Sequence, residues 1–372
     1  MEEKKLKIAM MGHKHVLSRE GGIEIVVNEL STRMAAKGYD VTCYDRHTHH
    51  VSGEEIDQRS DYHGVTIKPV WTIDRKGLAA MTSSLSAALC SAFGKYDVVH
   101  IHAEGPAAMS WLPKIRGKKV IVTVHGLDWA RAKWGGFATK YIRWGEKQAV
   151  KHADEIIVLS RGVQKYFKDT YNRGTVFVPN GVSRPEIREA AGIKKLWGLE
   201  KDSYVLFLGR IVPEKGLRYL VEAWKDIKTN KKLVIAGGSS DTETFMNELR
   251  EMSPENVVFT GFQQGMVLEE LYSNAYIYCL PSDLEGMPLS LLEAMSYGNC
   301  CLVSDIPECA EVVEDKAAVF PKGNVDELRR VLQQLLDDPE TVEKYKVGAA
   351  DFICQKYNWD DVVEKTLEIY KI

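Results

Sequence analysis

The chain has 372 residues, 45% of them apolar and 27% charged, a balance that excludes disorder and a collagen-like repeat. Its length predicts two domains, each with its own core, rather than one. A pI of about 6.4, with 49 Lys+Arg against 52 Asp+Glu, argues against a nucleic-acid partner, and no apolar run approaches the ~18 residues that cross a bilayer.

The N-terminal stretch Leu6–Met11 leads into polar Gly12-His13-Lys14 instead of a signal-peptide cleavage site, and reads as a first strand over Lys7–Met11. A helix follows over Ile23–Lys37, where Val26, Leu30 and Met34 share one face at i, i+4 and i+8. Further strands are predicted at Asp40–Tyr44, Thr66–Pro69, Val98–His102, Val120–Thr123, Glu155–Leu159 and Thr175–Val178. The alternation restarts near residue 203, with strands at Tyr204–Leu208, Lys232–Ala236, Val257–Phe259, Ala275–Leu280, Asn299–Ser304 and Ala317–Phe320. Short Val/Ile-rich strands separated by helices imply parallel sheets buried on both faces. The stretch 179–202, punctuated by Pro179, Gly181, Pro185 and Gly192, reads as a linker. The expected fold class is α/β, with two doubly wound, Rossmann-like domains. Ligands in such sheets sit at the carboxyl ends of the strands, so the site is expected in a cleft between the domains.

Charge is distributed unevenly. Residues 1–180 carry 27 Lys+Arg against 19 Asp+Glu, a net +8, and all ten histidines; the rest carry 22 against 33, a net −11. The basic half could face anionic lipid or a phosphorylated acceptor, or its charge could be simple surface drift. The seven cysteines are odd in number and form no C-x-x-C pair, which fits a reducing cytoplasm and argues against disulfides or a zinc site. Cys300-Cys301 reads as two small residues of a buried strand rather than a redox pair.

Several motifs fall at predicted strand ends. Gly21-Gly22-Ile23-Glu24 opens the first helix, where glycines admit a close backbone approach and the helix N-terminus favours an anion; a plain loop explains it equally well. The segment Gly209–Gly216 (G-R-I-V-P-E-K-G) places Arg210 and Lys215 at a strand's carboxyl end, suited to a diphosphate. The sharpest motif is Glu285–Glu293 (E-G-M-P-L-S-L-L-E). Gly286 and Pro288 mark a helix entry with Pro288 near its first position, and the amides of Leu289 and Ser290 would face an anion. Glu293, a turn further on, could accept from two ribose hydroxyls. A carboxylate pair also suits general acid–base work. His125-Gly126-Leu127-Asp128 follows another strand, placing an imidazole where it could bond a sugar or shuttle a proton. The tract 129–136 joins Trp129 and Trp134 to Arg131 and Lys133, which reads either as an acceptor-facing loop or as packing against a neighbouring helix.

These residues together resemble the retaining glycosyltransferases of family 4, with the GT-B fold. The resemblance rests on the Gly-Gly-x-Glu loop, G-R-x-x-x-E-K-G and E-G-x-P-L-x-x-L-E-A-M, and runs nearly end to end, through Pro179-Asn180-Gly181-Val182 to a closing helix over Tyr357–Ile372. It implies an N-terminal acceptor-side domain of residues 1–183, joined by the closing helix 357–372, and a nucleotide-sugar-binding domain of residues 184–356. It further implies that Arg210 and Lys215 hold the donor diphosphate, and that Glu293 holds the ribose. Glu285, Gly286, Met287, Pro288, Leu289 and Ser290 would hold sugar and phosphate. Gly21 and Gly22 would approach the phosphate, His125 would touch the transferred sugar, and the base would lie near Gly237 and Phe262. Glu24, Asp128, Arg131, Lys133 and Trp134 would meet the acceptor.

The family reaction retains the anomeric configuration, uses the leaving phosphate as base and needs no metal or other cofactor. The tract His125–Gly136 and the loop Ser18–Glu24 are further similar to bacterial polysaccharide rhamnosyltransferase-like members. The resemblance thus implies a UDP- or dTDP-sugar donor and a glycan acceptor, while the +8 half points to a lipid-diphosphate sugar acceptor and an anionic membrane face, and the cysteines to a cytoplasmic enzyme peripheral to that face. Two alternatives stay open: a sugar-nucleotide 2-epimerase on the same fold, and a non-catalytic nucleotide-binding scaffold.

Overall fold

The computed structural model describes residues 5–47, 57, 59–75, 77–130, 136–238 and 243–371. The chain divides into two compact units, Met1–Asn180 with Trp359–Ile372, and Gly181–Asn358. The sequence placed these divisions after residues 183 and 356.

The first unit holds β1 (Lys7–Met11), β2 (Asp40–Arg46), β3 (Asp61–Tyr62), β4 (Val65–Val70), β5 (Val98–His102), β6 (Lys119–Val124), β7 (Glu155–Val158) and β8 (Val176–Phe177). They form one sheet in the order β3-β4-β2-β1-β5-β6-β7-β8. All pairings are parallel except that of β3, a short edge strand absent from the sequence reading, which runs antiparallel to β4. Its two residues carry no apolar run from which a strand could be read. The chain turns from it into β4 at His63-Gly64, both with positive φ. The central strand β5 is buried throughout, and β1 and β6 are buried beyond their first residues, Lys7 and Lys119, as a sheet covered on both faces requires.

The last helix, Trp359–Lys371, completes this unit. It buries Val362, Val363, Leu367 and Tyr370, and exchanges ion pairs with the first helix, Gly22–Ala36: Arg33 with Asp360 at 2.7 Å and Lys37 with Glu364 at 2.6 Å. Tyr370 reaches the core, its hydroxyl 2.6 Å from His100 Nδ1.

The second unit holds β9 (Tyr204–Leu208), β10 (Lys232–Ala236), β11 (Val257–Gly261), β12 (Ile277–Leu280), β13 (Cys300–Ser304) and β14 (Ala318–Phe320), all parallel, in the order β11-β10-β9-β12-β13-β14. The stretch expected to be a linker belongs to this unit. Val182 bridges to Asn358, and a helix runs over Gly192–Trp197. The carboxylate of Glu270, distant in sequence, fixes that helix by accepting the N–H groups of Ala191 and Ile193 at 3.1 and 2.9 Å, so proline and glycine here punctuate an ordered segment. Cys300 and Cys301 are fully buried and free, and burial pushes both thiols upward, away from the reactive thiolate.

Candidate functional site

In the second unit the strand order reverses between β9 and its neighbours β10 and β12, the switch point at which doubly wound sheets gather ligands. Three loops leave the carboxyl ends there and interlock through backbone contacts that only glycine permits. Gly216 has φ +69°, and a Cβ on it would lie 1.9 Å from Pro281 O. Gly237 has φ +153°, and its Cβ would lie 1.8 Å from Gly209 O. Further bonds lock the same loops, Ile211 N–H to Gly238 O at 3.1 Å and Asp283 N–H to Glu214 O at 2.9 Å.

This interlock presents the charged residues. After β9 the chain makes a 3-10 turn over Pro213–Lys215, which aims Lys215 at the loop following β12. Its Nζ donates to Glu285 Oε1 at 2.6 Å. Both side chains are largely buried, 13% and 8% exposed. Ser282 Oγ donates to the same carboxylate oxygen at 2.6 Å, and Ser304 Oγ in turn holds Ser282 O at 2.6 Å. The sequence set Lys215 beside Arg210 as a cation pair; the structure gives Lys215 a carboxylate partner seventy positions along the chain.

Pro288 is the N-cap of the helix Leu289–Ser296, with φ −75° and ψ 101°, rather than its first residue. The pyrrolidine ring suits that extended cap, so the helix opens at Leu289. The first bonds accepted by Pro288 O come from Leu291 and Leu292, which leaves the amides of Leu289 and Ser290 at the positively polarised end. Tyr278 at the core of β12 anchors this turn, its hydroxyl donating to Ser290 Oγ at 2.8 Å. Glu293, one turn in, accepts from Tyr272 OH at 3.0 Å, and Tyr272 stacks on Tyr297 with ring centroids 5.2 Å apart. Gly237 and Phe262 follow β10 and β11 at the same edge of the sheet.

A second polar group occupies the carboxyl ends of β1, β2, β5 and β6 in the first unit. His125 follows β6 and is nearly buried, its Nε2 lying 3.0 Å from Nδ1 of His102. His102 is fully buried at the end of β5. Burial and the neighbouring imidazoles hold it well below the usual histidine range, so it is neutral. His100, two residues earlier on the same face, is likewise pushed down, to about 3. Gly12 passes over this strand end with φ +109°, a Cβ there lying 2.1 Å from His102 O.

The loop from β1 to the first helix is held by buried polar bonds. His13 Nε2 meets Asp45 Oδ1 at 2.8 Å, and Asp45 also accepts the Val16 N–H. Glu24 accepts the Lys14 N–H at 2.9 Å, so a carboxylate expected to face an acceptor is turned into its own loop. Gly21 is the helix N-cap in an ordinary extended conformation, and Gly22 is the first helical residue.

Asp128 begins a 3-10 turn, its N–H donating to buried Glu104 at 2.8 Å. Desolvation and the nearby Asp128 and Glu146 carboxylates raise the Glu104 carboxyl well above the usual range. Trp129 is engaged by packing: its Nε1–H donates to buried Glu146 at 3.1 Å and the Arg143 guanidinium lies 4.2 Å from its ring centre. Arg131, Lys133 and Trp134 lie outside the described residues.

Residues 189–352 match the family described as Glycosyl transferases group 1, and residues 20–184 match Glycosyltransferase Family 4. A glycosyltransferase of Methanocaldococcus jannaschii is 24% identical over 99% of this chain and 98% of its own length. A UDP-Gal:alpha-D-GlcNAc-diphosphoundecaprenol alpha-1,3-galactosyltransferase of Escherichia coli is 26% identical over 74% of this chain and 75% of its own. Sucrose-phosphate synthase from Thermosynechococcus elongatus has the same fold, with a TM-score of 0.84 at 20% identity, covering 99% of this chain and 98% of that one. Anabaena HepE in complex with UDP and glucose gives 0.80 at 14% identity, covering 98% and 99%.

The chain belongs to the family 4 glycosyltransferases.

Its fold is GT-B, and it is an enzyme of the glycosyl-transferring class, EC 2.4. In this family 4 glycosyltransferase the sequence reading missed two side chains that the structure joins to expected ones, His102 behind His125 and Tyr272 behind Glu293, and it missed both members of the His13–Asp45 pair. One signal was available. His100 and His102 alternate inside an otherwise apolar strand, and two imidazoles on one face of a fully buried strand call for polar partners.

Proposed function

We propose that this glycosyltransferase moves a sugar from a UDP- or dTDP-sugar to a glycan or lipid-diphosphate sugar, with retention and without a metal, in cell-envelope polysaccharide assembly. The observation that carries this reading is the buried pair of Lys215 and Glu285 at the switch point of the second unit. A lysine held there by a carboxylate has a poised cation for a diphosphate, and transfer to the incoming phosphates leaves Glu285 able to accept from a sugar hydroxyl. Arg210 adds a second, fork-shaped donor from the same loop. The amides opening the helix at Leu289 and Ser290 suit the remaining phosphate charge. These groups would stabilise the diphosphate as the sugar–phosphate bond breaks. In a retaining displacement the departing phosphate oxygen takes the acceptor's proton, so no separate carboxylate base is required. Glu293, aligned by Tyr272, is assigned to the ribose, and His125 to the transferred sugar. The complexes of HepE with UDP and UDP-glucose support the donor class. The diphosphoundecaprenol acceptor named for the Escherichia coli relative supports a lipid-linked acceptor at the inner membrane face. The rhamnosyltransferase-like tract favours dTDP-rhamnose among the donors.

The test is a thermal-shift screen against UDP, dTDP, GDP and ADP and the matching sugar nucleotides, in EDTA. Selective stabilisation by one nucleoside diphosphate is the expected outcome, since only a ligand of the folded state raises the melting temperature. No shift at millimolar ligand with folded protein, or a shift that requires a divalent cation, would overturn the donor assignment or its metal independence respectively.

A further inference from the structure

The helix Leu78–Phe93 is the one described helix of eight or more residues that contains no Asp, Glu, Lys or Arg. Its inner face packs small residues, Ser84, Ala87, Ala88, Ser91 and Ala92, on the sheet of the first unit. Its outer face carries large apolar side chains, with half-buried Thr82 and Ser86 among them; Thr82 Oγ1 turns back to donate to Leu78 O at 2.9 Å. Leu78, Leu85 and Leu89 are 40–43% exposed and Phe93 is 70% exposed. Their spacing puts them in one stripe along the helix. A surface helix ordinarily turns charged residues to water, so an uncharged stripe of exposed Leu and Phe marks a contact surface.

Exposed cations stand at both ends of the stripe, with exposed Asp74 beside Arg75 at the near end, so the excess of positive charge gathers at the far end. At the far end the Arg116 guanidinium lies 5.0 Å from the Phe93 ring centre, beside Ile115, which is itself exposed. Lys118 ties this corner together, its Nζ donating to Gly94 O and Tyr96 O at 2.8 and 3.0 Å. Lys95 follows Phe93, and Arg75 precedes the helix at the other end; both are exposed. The helix has 16 residues, about 24 Å at the α-helical rise, and no described helix is long and apolar enough to cross a membrane.

We propose that the stripe Leu78–Leu85–Leu89–Phe93 is a docking surface for an anionic lipid bilayer, lying flat in the headgroup region with Arg75, Lys95 and Arg116 on lipid phosphates. Apolar area and cations act together in such interfacial binding. The charge pattern selects this occupant. Pairing with a second copy about a two-fold axis would set cations of one sign in the rim of a self-complementary patch, whereas an anionic surface neutralises them. The helix leaves the same end of the sheet at which β5 and β6 place His102 and His125, since it follows β4 in a parallel sheet. The proposal gives the membrane-linked part of the proposed function a specific surface and rests on that reading.

The experiment is flotation of the full chain with vesicles of phosphatidylcholine alone or with phosphatidylglycerol, at low and high salt. Three proteins are compared: the wild type, Leu85→Ser/Leu89→Ser and Arg116→Glu. Both variants alter exposed positions outside the donor and sugar-binding residues, and unchanged melting temperatures confirm that they fold. The wild type floats with the anionic vesicles. The double serine variant loses roughly tenfold or more of that partitioning at either salt, and Arg116→Glu loses binding mainly at low salt. Absence of wild-type flotation at low salt, or unaltered flotation of the double variant, overturns the proposal. So does a wild-type dimer in sedimentation velocity that the double variant dissociates, which assigns the stripe to a second copy. Nucleoside-diphosphate thermal shifts measured on the same samples separate the two readings. Shifts without flotation remove only the membrane surface, and flotation without shifts removes only the donor assignment.

Discussion

Lys215 Nζ and Glu285 Oε1 lie 2.6 Å apart at the carboxyl ends of β9 and β12, a buried ion pair joining the two most charged motifs of the second unit. Removing one partner leaves the other charge buried, whereas removing both does not. We expect Lys215→Met to cost on the order of 3 kcal/mol in stability and to abolish the nucleoside-diphosphate thermal shift. Lys215→Met/Glu285→Gln should regain most of the stability but none of the activity. Urea unfolding and a donor-consumption assay check the two halves. A double variant that recovers turnover would remove Lys215 from the diphosphate.

Gly216 and Gly237 bring the loops together at backbone distances no side chain tolerates. We expect Gly216→Ala or Gly237→Ala to lower stability by more than about 2 kcal/mol and to lose donor binding, through clash and positive φ together. Gly265→Ala is the control. Its φ is +58°, but nothing lies within 4 Å of the added methyl, so it should cost only about 1 kcal/mol. Melting curves with and without nucleotide read both effects.

His102 backs His125 at 3.0 Å and is held neutral. A buried neutral imidazole fixes the orientation and tautomer of the ring it bonds. Replacing it with Leu should lower kcat roughly tenfold with little change in donor KM, as expected for lost alignment rather than lost binding. Asn, which keeps a polar atom near the Nδ1 position, should retain most of the rate. Equal losses in Leu and Asn variants would argue for a packing role alone.

Acid should weaken the first unit through His100. Burial sets its folded value at about 3, against about 6.5 in the unfolded chain. The unfolded state therefore binds more protons between those values. This contribution is present well above pH 6.5 and is lost progressively as the pH drops toward 3, with a loss on the order of 3 kcal/mol by pH 4.5. His102 acts in the same direction. Melting temperatures between pH 7 and 4.5 should fall more steeply in the wild type than in His100→Gln, and parallel curves would reject the assignment.

The sequence by itself determined the alternation of strands and helices, the two doubly wound sheets and the family. Those features follow from local periodicity and from motifs such as Gly209–Gly216 and Glu285–Glu293, whose residues are near neighbours along the chain. It could not separate a linker from the ordered segment 181–202, because the group that orders it, Glu270, is distant in sequence. Nor could it show that Lys215 faces Glu285, or that His102 backs His125. Those pairings arise only when parallel strands bring their carboxyl ends side by side. Tertiary structure also supplied the partners of Trp129, Glu146 and Arg143, which its sequence neighbours do not reveal. The apolar stripe of Leu78–Phe93 needed both. Its lack of charge is written in the sequence, but exposure depends on which face the sheet covers, and packing alone decides that.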